Sequence, residues 1–262
     1  MARGPKKHLK RVAAPHSWLQ NKLGGNFAVR PAQGPHRLRE SIPLLIVLRD
    51  KLKIAIDGRE ANHILHQKDG NIKVDKKIRR NHKYPVGIMD VIEIPKAKKN
   101  YRVMYDVKAR FTFVRIKDDE AKFKLCKVEK KALGPNKITY LITHDGRTIR
   151  LADKDIQVGD TIKFNLEKHE VEDFIPLHAG NLALCSDGNN RGRVGIIDHI
   201  NKFDNNFDLV TIKDSHGHSF TTRSSYIITI GRGNKSLITL PKGDGIRLSI
   251  TEEAEQRQQN QK

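Results

Sequence analysis

Apolar residues in this chain come in short runs broken by glycine, proline and charge, and that rhythm limits what it can fold into. The longest run, Ile42 to Leu48, is far short of the roughly 20 residues a spanning helix needs. Beyond residue 100 the runs are strand-length: Tyr101 to Tyr105, Phe111 to Ile116, Leu125 to Val128, Ile138 to Thr143, Thr161 to Leu166, Asn181 to Cys185, Val194 to Ile197, Asp208 to Ile212 and Tyr226 to Ile230. Turn residues such as His144-Asp145-Gly146 and Gly159-Asp160 separate them. Short strands at regular spacing predict small β-barrels in place of one large sandwich.

Charge restricts the partner. Fifty Lys and Arg stand against 30 Asp and Glu, a formal net charge of +20. That exceeds the about 2 to 8 net charges that solubility asks of a small domain, so a polyanion is the expected partner, because cations on phosphates release condensed counterions. The charge is also lopsided. Residues 1–39 hold nine basic and no acidic side chains, residues 40–75 six of each, and residues 76–110 eleven and three. The first 110 residues thus carry +17 and the other 152 only +3. The main RNA face is expected in the first part. Asp153, Asp155, Asp160, Glu167, Glu170, Glu172 and Asp173 form an acidic region expected to face away from RNA or toward a basic protein neighbour.

Along the chain, residues 1–40 read as a basic Pro/Gly-rich extension with one short helical candidate, His16 to Leu23, expected to order mainly against phosphate. From Ser41, a helix cap with Pro43 in the first turn leads into Leu44, Leu45, Leu48 and Leu52. Asp57 and Glu60 form a capping-box pair for a second helix carrying Ala61, Ile64 and Leu65. Ile72 to Val74 and Val91 to Ile94 read as strands, with turns at Asp75 to Lys77 and Lys96 to Lys99. The tail from Thr251 reads as a solvated helix end.

Chemistry-bearing motifs are few. Cys126 and Cys185 lie in apolar runs without a CxxC partner and read as buried thiols of a reducing compartment; no metal site is expected. His63 with His66, and His216 with His218, are pairs without an obvious third ligand. No nucleophile elbow occurs, and the Gly-rich stretch at Gly188 lacks a Walker lysine, so neither catalysis nor a nucleotide cofactor is expected. Trp18, the single tryptophan, reads as a packing residue more than a stacking one, and 6% aromatic content favours binding of folded RNA through phosphates and shape. The charged N-terminus has no apolar stretch after it, so no secretory signal is expected; a polybasic surface anchor stays open.

Asn71-Ile-Lys-Val-Asp-Lys-Lys-Ile followed by Gly87-Ile-Met-Asp-Val-Ile-Glu-Ile resembles the S-four RNA-binding domain. The resemblance puts Arg49, Lys51 and Lys53 of one helix on RNA, joined by Lys76, Lys77, Arg79 and Arg80; the bland alternative is an αβ fold with solvated lysines. Gly188, Gly192 and Gly195 in Gly-Asn-Asn-Arg-Gly-Arg-Val-Gly resemble a KOW element, with Arg191 and Arg193 placed to reach phosphates. Most specific is His8-Leu-Lys-Arg-Val-Ala-Ala-Pro-His-Ser-Trp18, similar to the N-terminal signature of the eukaryotic and archaeal S-four-e ribosomal protein family. Gly34 to Glu40, Tyr84 to Gly87, Asp106 to Phe111, Thr143 to Arg150 and Ile230 to Lys235 fall in the same order as similar segments of that family. Leu19 to Asn21, Gly24 to Asn26 and Asp204 to Phe207 depart from it.

The resemblance implies an α+β, multi-module protein: a basic extension at 1–40, an S-four-like RNA-binding domain at 41–105, a central β domain at 106–174, a KOW-containing SH3-like barrel at 175–230 and a C-terminal segment at 231–262. It implies 18S-type rRNA and neighbouring small-subunit proteins as partners, with no membrane and no small-molecule substrate, in cytoplasmic ribosomes after a nucleolar assembly stage. The rRNA contacts it implies begin with Arg3, Lys6, Lys7, His8, Lys10 and Arg11. Arg30, Arg37 and Arg39 continue them, and Lys108 and Arg110 extend them past the S-four-like domain. An RNA-modifying enzyme and a cycling KOW-type factor are the rival readings; the first would need a catalytic domain for which no acid-base or nucleophile constellation is present.

Overall fold

The computed structural model describes residues 4, 6–67, 72–134, 137–150 and 153–259. Ordering starts in the extension, where the sequence predicted little order without RNA. Trp18 is wholly buried and its indole Nε1 donates to the Ser41 carbonyl at 2.7 Å. Leu9 joins the same core, and a two-stranded ribbon pairs Leu9–Lys10 with Phe27–Ala28. One aromatic with a satisfied polar tip thus anchors the extension to the body. The helix expected at His16 to Leu23 is a single 3-10 turn, His16–Trp18, ended by Leu19 in the left-handed region at φ 54°.

Ser41 does not cap a helix. Ser41–Pro43 is a strand paired with Pro85–Gly87, and Pro43 takes the N-cap position of the helix Leu44–Ile46. The proline at that point pre-sets φ, but a strand partner 44 residues on claims the backbone before it. The helix widens into a π turn, Val47–Lys51, where the Leu52 N–H reaches the Val47 carbonyl at 2.8 Å. Residues 44–48 are buried on every side, so this element is a core plug and not an amphipathic surface helix. The second helix, Gly58–His66, starts at Asp57 as expected, but Asp57 makes no capping bond; Glu60 reaches back to the Ile56 N–H at 2.7 Å. Ala61 and Leu65 form its buried face.

Antiparallel ladders account for the rest. A five-stranded sheet runs Lys77–Ile78, Lys73–Val74, Val91–Ile94, Lys99–Tyr105, Phe111–Ile116. Asp75 and Lys76, at φ 52° and 63°, make the two-residue turn between its first two strands. The Lys99–Tyr105 and Phe111–Ile116 strands are one hairpin, so residues 106–116 belong to the sheet of the S-four-like segment. A second five-stranded sheet orders Thr148–Arg150, Thr139–Thr143, Phe123–Leu133, Thr161–Asn165, Val171–Ile175. Its long strand, expected only over Leu125 to Val128, pairs first with Thr161–Asn165 and then, past a bulge at Val128/Lys130, with Thr139–Thr143.

The six-stranded sheet orders Ser219–Arg223, Leu209–Lys213, Val194–Asn201, Leu182–Cys185, Ile227–Arg232, Lys235–Ser236, so residues 231–236 continue the sheet of the barrel segment. Each of these last two sheets wraps a small cluster of its own, one around Val128, Leu141, Ile156 and Ile162 and one around Ala183, Cys185, Ile197, Val210, Ile212 and Ile227. The hydrogen-bonded strand order is linear in both.

A larger core runs through all of these segments. It takes in Leu9 and Trp18 of the extension, residues 44–48, Val103 and Tyr105, and Leu182, Leu184, Ile228 and Ile238. The C-terminal residues strap across it: Thr239 donates from N and Oγ1 to Glu120 at 3.0 and 2.6 Å, and the Val194 N–H reaches the Gly245 carbonyl at 3.1 Å. The helix expected at the tail is present as Ile250–Gln259. Among the described residues no helix is long and apolar enough to cross a membrane.

Candidate nucleic-acid interface

A cleft of about 660 Å³ lies at the junction of the modules, but its lining is mixed in charge. The cationic one is a second cleft of about 830 Å³, walled by Val12 to Ser17 of the extension, Leu38 and Arg39, Lys108 to Arg110, and Arg191. A tight turn supplies the middle wall: the Asp106 N–H pairs with the Arg110 carbonyl at 2.8 Å, Ala109 sits at φ 58°, and the Asp106 carboxylate accepts the Val107 N–H at 2.8 Å. That turn leaves Lys108 and Arg110 exposed. Lys51 is beside it. Burial first, and then the Arg110 charge, pull its pKa below the usual lysine value. Cations far apart in sequence, Arg39, Lys108, Arg110 and Arg191, therefore converge on one concavity.

The other expected contacts divide into exposed and engaged. Lys6, Lys7, His8, Lys10, Arg37, Arg39, Lys53, Lys77 and Arg80 are exposed, whereas Arg3 lies outside the described residues. Lys77 sits on an edge strand, away from the lining of the cleft. Arg11 donates to the Asn21 carbonyl at 2.7 Å and Arg30 to that of His8 at 3.3 Å. Arg49 forks onto Asp50 at 2.7 and 3.1 Å. Lys76 bridges Glu93 at 2.8 Å and Glu167 at 3.2 Å, and Arg79 stacks 4.4 Å from the Tyr84 ring centroid. Lys108 also reaches Glu253 at 2.7 Å.

Arg191 and Arg193 are both engaged within the protein. Arg191 pairs with Asp187 and stacks 4.9 Å from the Tyr105 centroid. Arg193 pairs with buried Asp214 and lies 3.7 Å from the Phe220 centroid. Most of the acidic region is likewise spent internally. Asp160 accepts the Gln157 and Leu177 N–H groups, Glu172 pairs with Lys163 at 2.8 Å, and Asp173 with Arg232 at 2.7 Å.

Sequence reading missed the polar centre of the molecule. Lys124 is completely buried and its ammonium donates to Asp75 at 3.0 Å, Asp90 at 2.5 Å and Asp145 at 3.0 Å. Arg147 bridges Asp145 at 2.6 Å and Asp75 at 2.7 Å, and His36 Nε2 sits 3.0 Å from Asp90. Burial alone would lower the Lys124 pKa, but Asp145, Asp75 and Asp90 outweigh it and hold it well above the usual value. Attraction to His36 and Lys124 overrides burial at Asp90, attraction to Lys124 does so at Asp145, and both carboxyls stay far below the ordinary range. His144 is pushed down to about 4 by burial. Its Nδ1 accepts the Lys127 N–H at 3.2 Å.

Cys126, His144 and Asp145 lie close enough together to suggest a metal. Asp145 is already neutralised by Lys124 and Arg147, and burial pushes the Cys126 thiol well up, so the donor set does not fit a cation. A lysine in a strand written Phe-Lys-Leu-Cys looked like any surface cation in the sequence; the one available signal was its place inside an otherwise apolar run.

Three family profiles match: the RS4NT (NUC023) domain over residues 3–39, the ribosomal family S4e over 97–171, and the 40S ribosomal protein S4 C-terminus over 214–261. The small ribosomal subunit protein eS4 of Tetrahymena thermophila is 50% identical over 96% of this chain and 97% of its own length. Those of Ixodes scapularis and Bombyx mori are 50% and 51% identical, covering 99% and 98% of this chain and 98% and 97% of their own. The crystal structure of the 30S ribosomal protein S4e from Thermoplasma acidophilum superposes with a TM-score of 0.65 at 33% identity, over 76% of this chain and 99% of that one. With near-complete coverage at this identity, the chain belongs to the S4e family of small-ribosomal-subunit proteins, a structural family and not one of enzymes.

Proposed function

We propose that this chain is a structural constituent of the cytoplasmic small ribosomal subunit that binds folded 18S-type rRNA, joining the particle at a nucleolar assembly stage beside neighbouring ribosomal proteins. The observation that carries this reading is the cleft in which Arg39, Lys108, Arg110 and Arg191 meet the extension. Phosphates packed against it would be neutralised from several chain segments at once, letting RNA helices approach one another. Lys6, Lys7, Lys10, Arg37, Lys53, Lys77 and Arg80 are the further exposed contacts of this reading.

In the same reading the extension is residues 1–40, the S-four-like domain starts at 41 and keeps its hairpin to 116, the central β domain follows, and the last sheet is KOW-containing. Gly192, at φ 86°, lies so close to the Asp106 carbonyl that a Cβ would overlap it. The KOW-type loop thereby docks the hairpin that walls the cleft, and Arg191 and Arg193 hold that loop. Arg39→Ala and Arg110→Ala should each reduce the slope of log affinity against log salt for rRNA by about 0.7 to 0.9, while Arg193→Ala leaves it unchanged and lowers stability. Unchanged slopes in both of the first two variants, read by filter binding across a salt series, would overturn the assignment.

A further inference from the structure

The ribbon of Leu9–Lys10 and Phe27–Ala28 has two unlike faces. Antiparallel register sets Leu9 opposite Ala28 and Lys10 opposite Phe27, and side chains alternate along a strand. Leu9 and Ala28 turn into the core. Lys10 and Phe27 turn outward, and Phe27 keeps 56% of its surface exposed. The Lys10 ammonium lies 4.6 Å from its ring centroid, and the His8 ring, two residues away on the same side, lies 5.8 Å from it at 54°. Arg30 donates to the His8 carbonyl at 3.3 Å, adding a second cationic group beside Lys10.

An exposed phenylalanine alone needs no explanation. This one is held on a core-anchored ribbon, between a lysine and a histidine, in a 39-residue segment with no acid. A protein partner would have to bring carboxylates and an apolar surface together. An unpaired nucleotide carries both requirements in one unit, a π-face for the ring and a phosphate for the cations. The low overall aromatic content argues against an extended stacking sheet, but a single platform needs only one ring.

We propose that the outward face of this ribbon stacks one unpaired base of the bound RNA, with Phe27 as the platform and Lys10 and Arg30 on the flanking phosphates. The proposal rests on the rRNA-binding reading for its ligand and adds that the extension contacts a base and not phosphates alone. The test compares the full-length chain with Phe27→Ala and Phe27→Tyr, titrated against a short single-stranded oligoadenylate and a short blunt RNA duplex at several salt concentrations. The emission of buried Trp18 checks that each variant is folded.

Phe27→Ala should lose about five- to hundredfold in affinity for the single strand, with the salt slope and the duplex affinity unchanged, and Phe27→Tyr should retain binding. Equal binding of the single strand by Phe27→Ala, or equal loss on both probes, overturns the proposal while leaving the rRNA reading in place. A wild-type chain that binds neither probe overturns the rRNA reading itself. Loss of a neighbouring protein from small subunits with both RNA affinities intact would make the ribbon a protein-docking surface, and the stacking assignment would be wrong.

Discussion

Lys124 is surrounded by three carboxylates contributed by two sheets, and its removal would strand them. Breaking a buried ion network by deleting one partner costs about 3 to 5 kcal/mol, because the remaining charges keep their desolvation penalty. Lys124→Met should therefore lower unfolding free energy by that order in urea titration, although methionine fills nearly the same volume. His144 ties stability to pH. Its folded pKa of about 4 lies below the unfolded value of 6.5, so between those two pH values the unfolded chain binds more protons. Stability is lost as pH falls from about 6.5 to 4, by up to about 3 kcal/mol. Below the ordinary carboxyl value of 3.8, Asp90 and Asp145, whose folded pKa values are depressed, add a further loss as they are forced to protonate. His144→Gln should flatten the upper part of that curve, measured as thermal midpoint against pH, and leave the lower part in place.

Among the elements, the loop before Val194 shows how glycine sets a docking distance. Gly192 combines φ 86° with a Cβ path blocked by the Asp106 carbonyl, and Gly195 approaches the Lys213 carbonyl just as closely. Gly192→Ala should cost about 1 to 3 kcal/mol from backbone strain and loosen the hairpin that presents Lys108 and Arg110, seen as faster amide exchange at residues 106–110. The strands Val91–Ile94 and Phe111–Ile116 were legible residue for residue, since alternation and flanking turns need no distant partner. Thr148–Arg150, Val171–Ile175 and Ser219–Arg223 were not, because their residues are mostly exposed edge positions without an apolar pattern. Ser41 failed as a cap for a related reason: its strand partner at Gly87 is 46 residues away, beyond any local signal.

Across the whole molecule, Trp18 joins the basic extension to the body. Trp18→Ala should destabilise the protein by about 3 to 5 kcal/mol and make the first 40 residues susceptible to limited proteolysis in the absence of RNA, where the wild-type extension resists. Composition, charge asymmetry and strand rhythm by themselves indicated an α+β, multi-module chain, almost wholly β beyond residue 100, and made a polyanion the expected partner, because net charge and local periodicity are additive properties of a sequence. Which cations stay available to that partner was decided only in three dimensions. Arg193 and Arg110 are the same residue type in similarly basic text, yet one is paired to buried Asp214 and the other is exposed at the tip of a hairpin. Pairing depends on what the fold brings within a few ångströms, and no linear pattern records that distance.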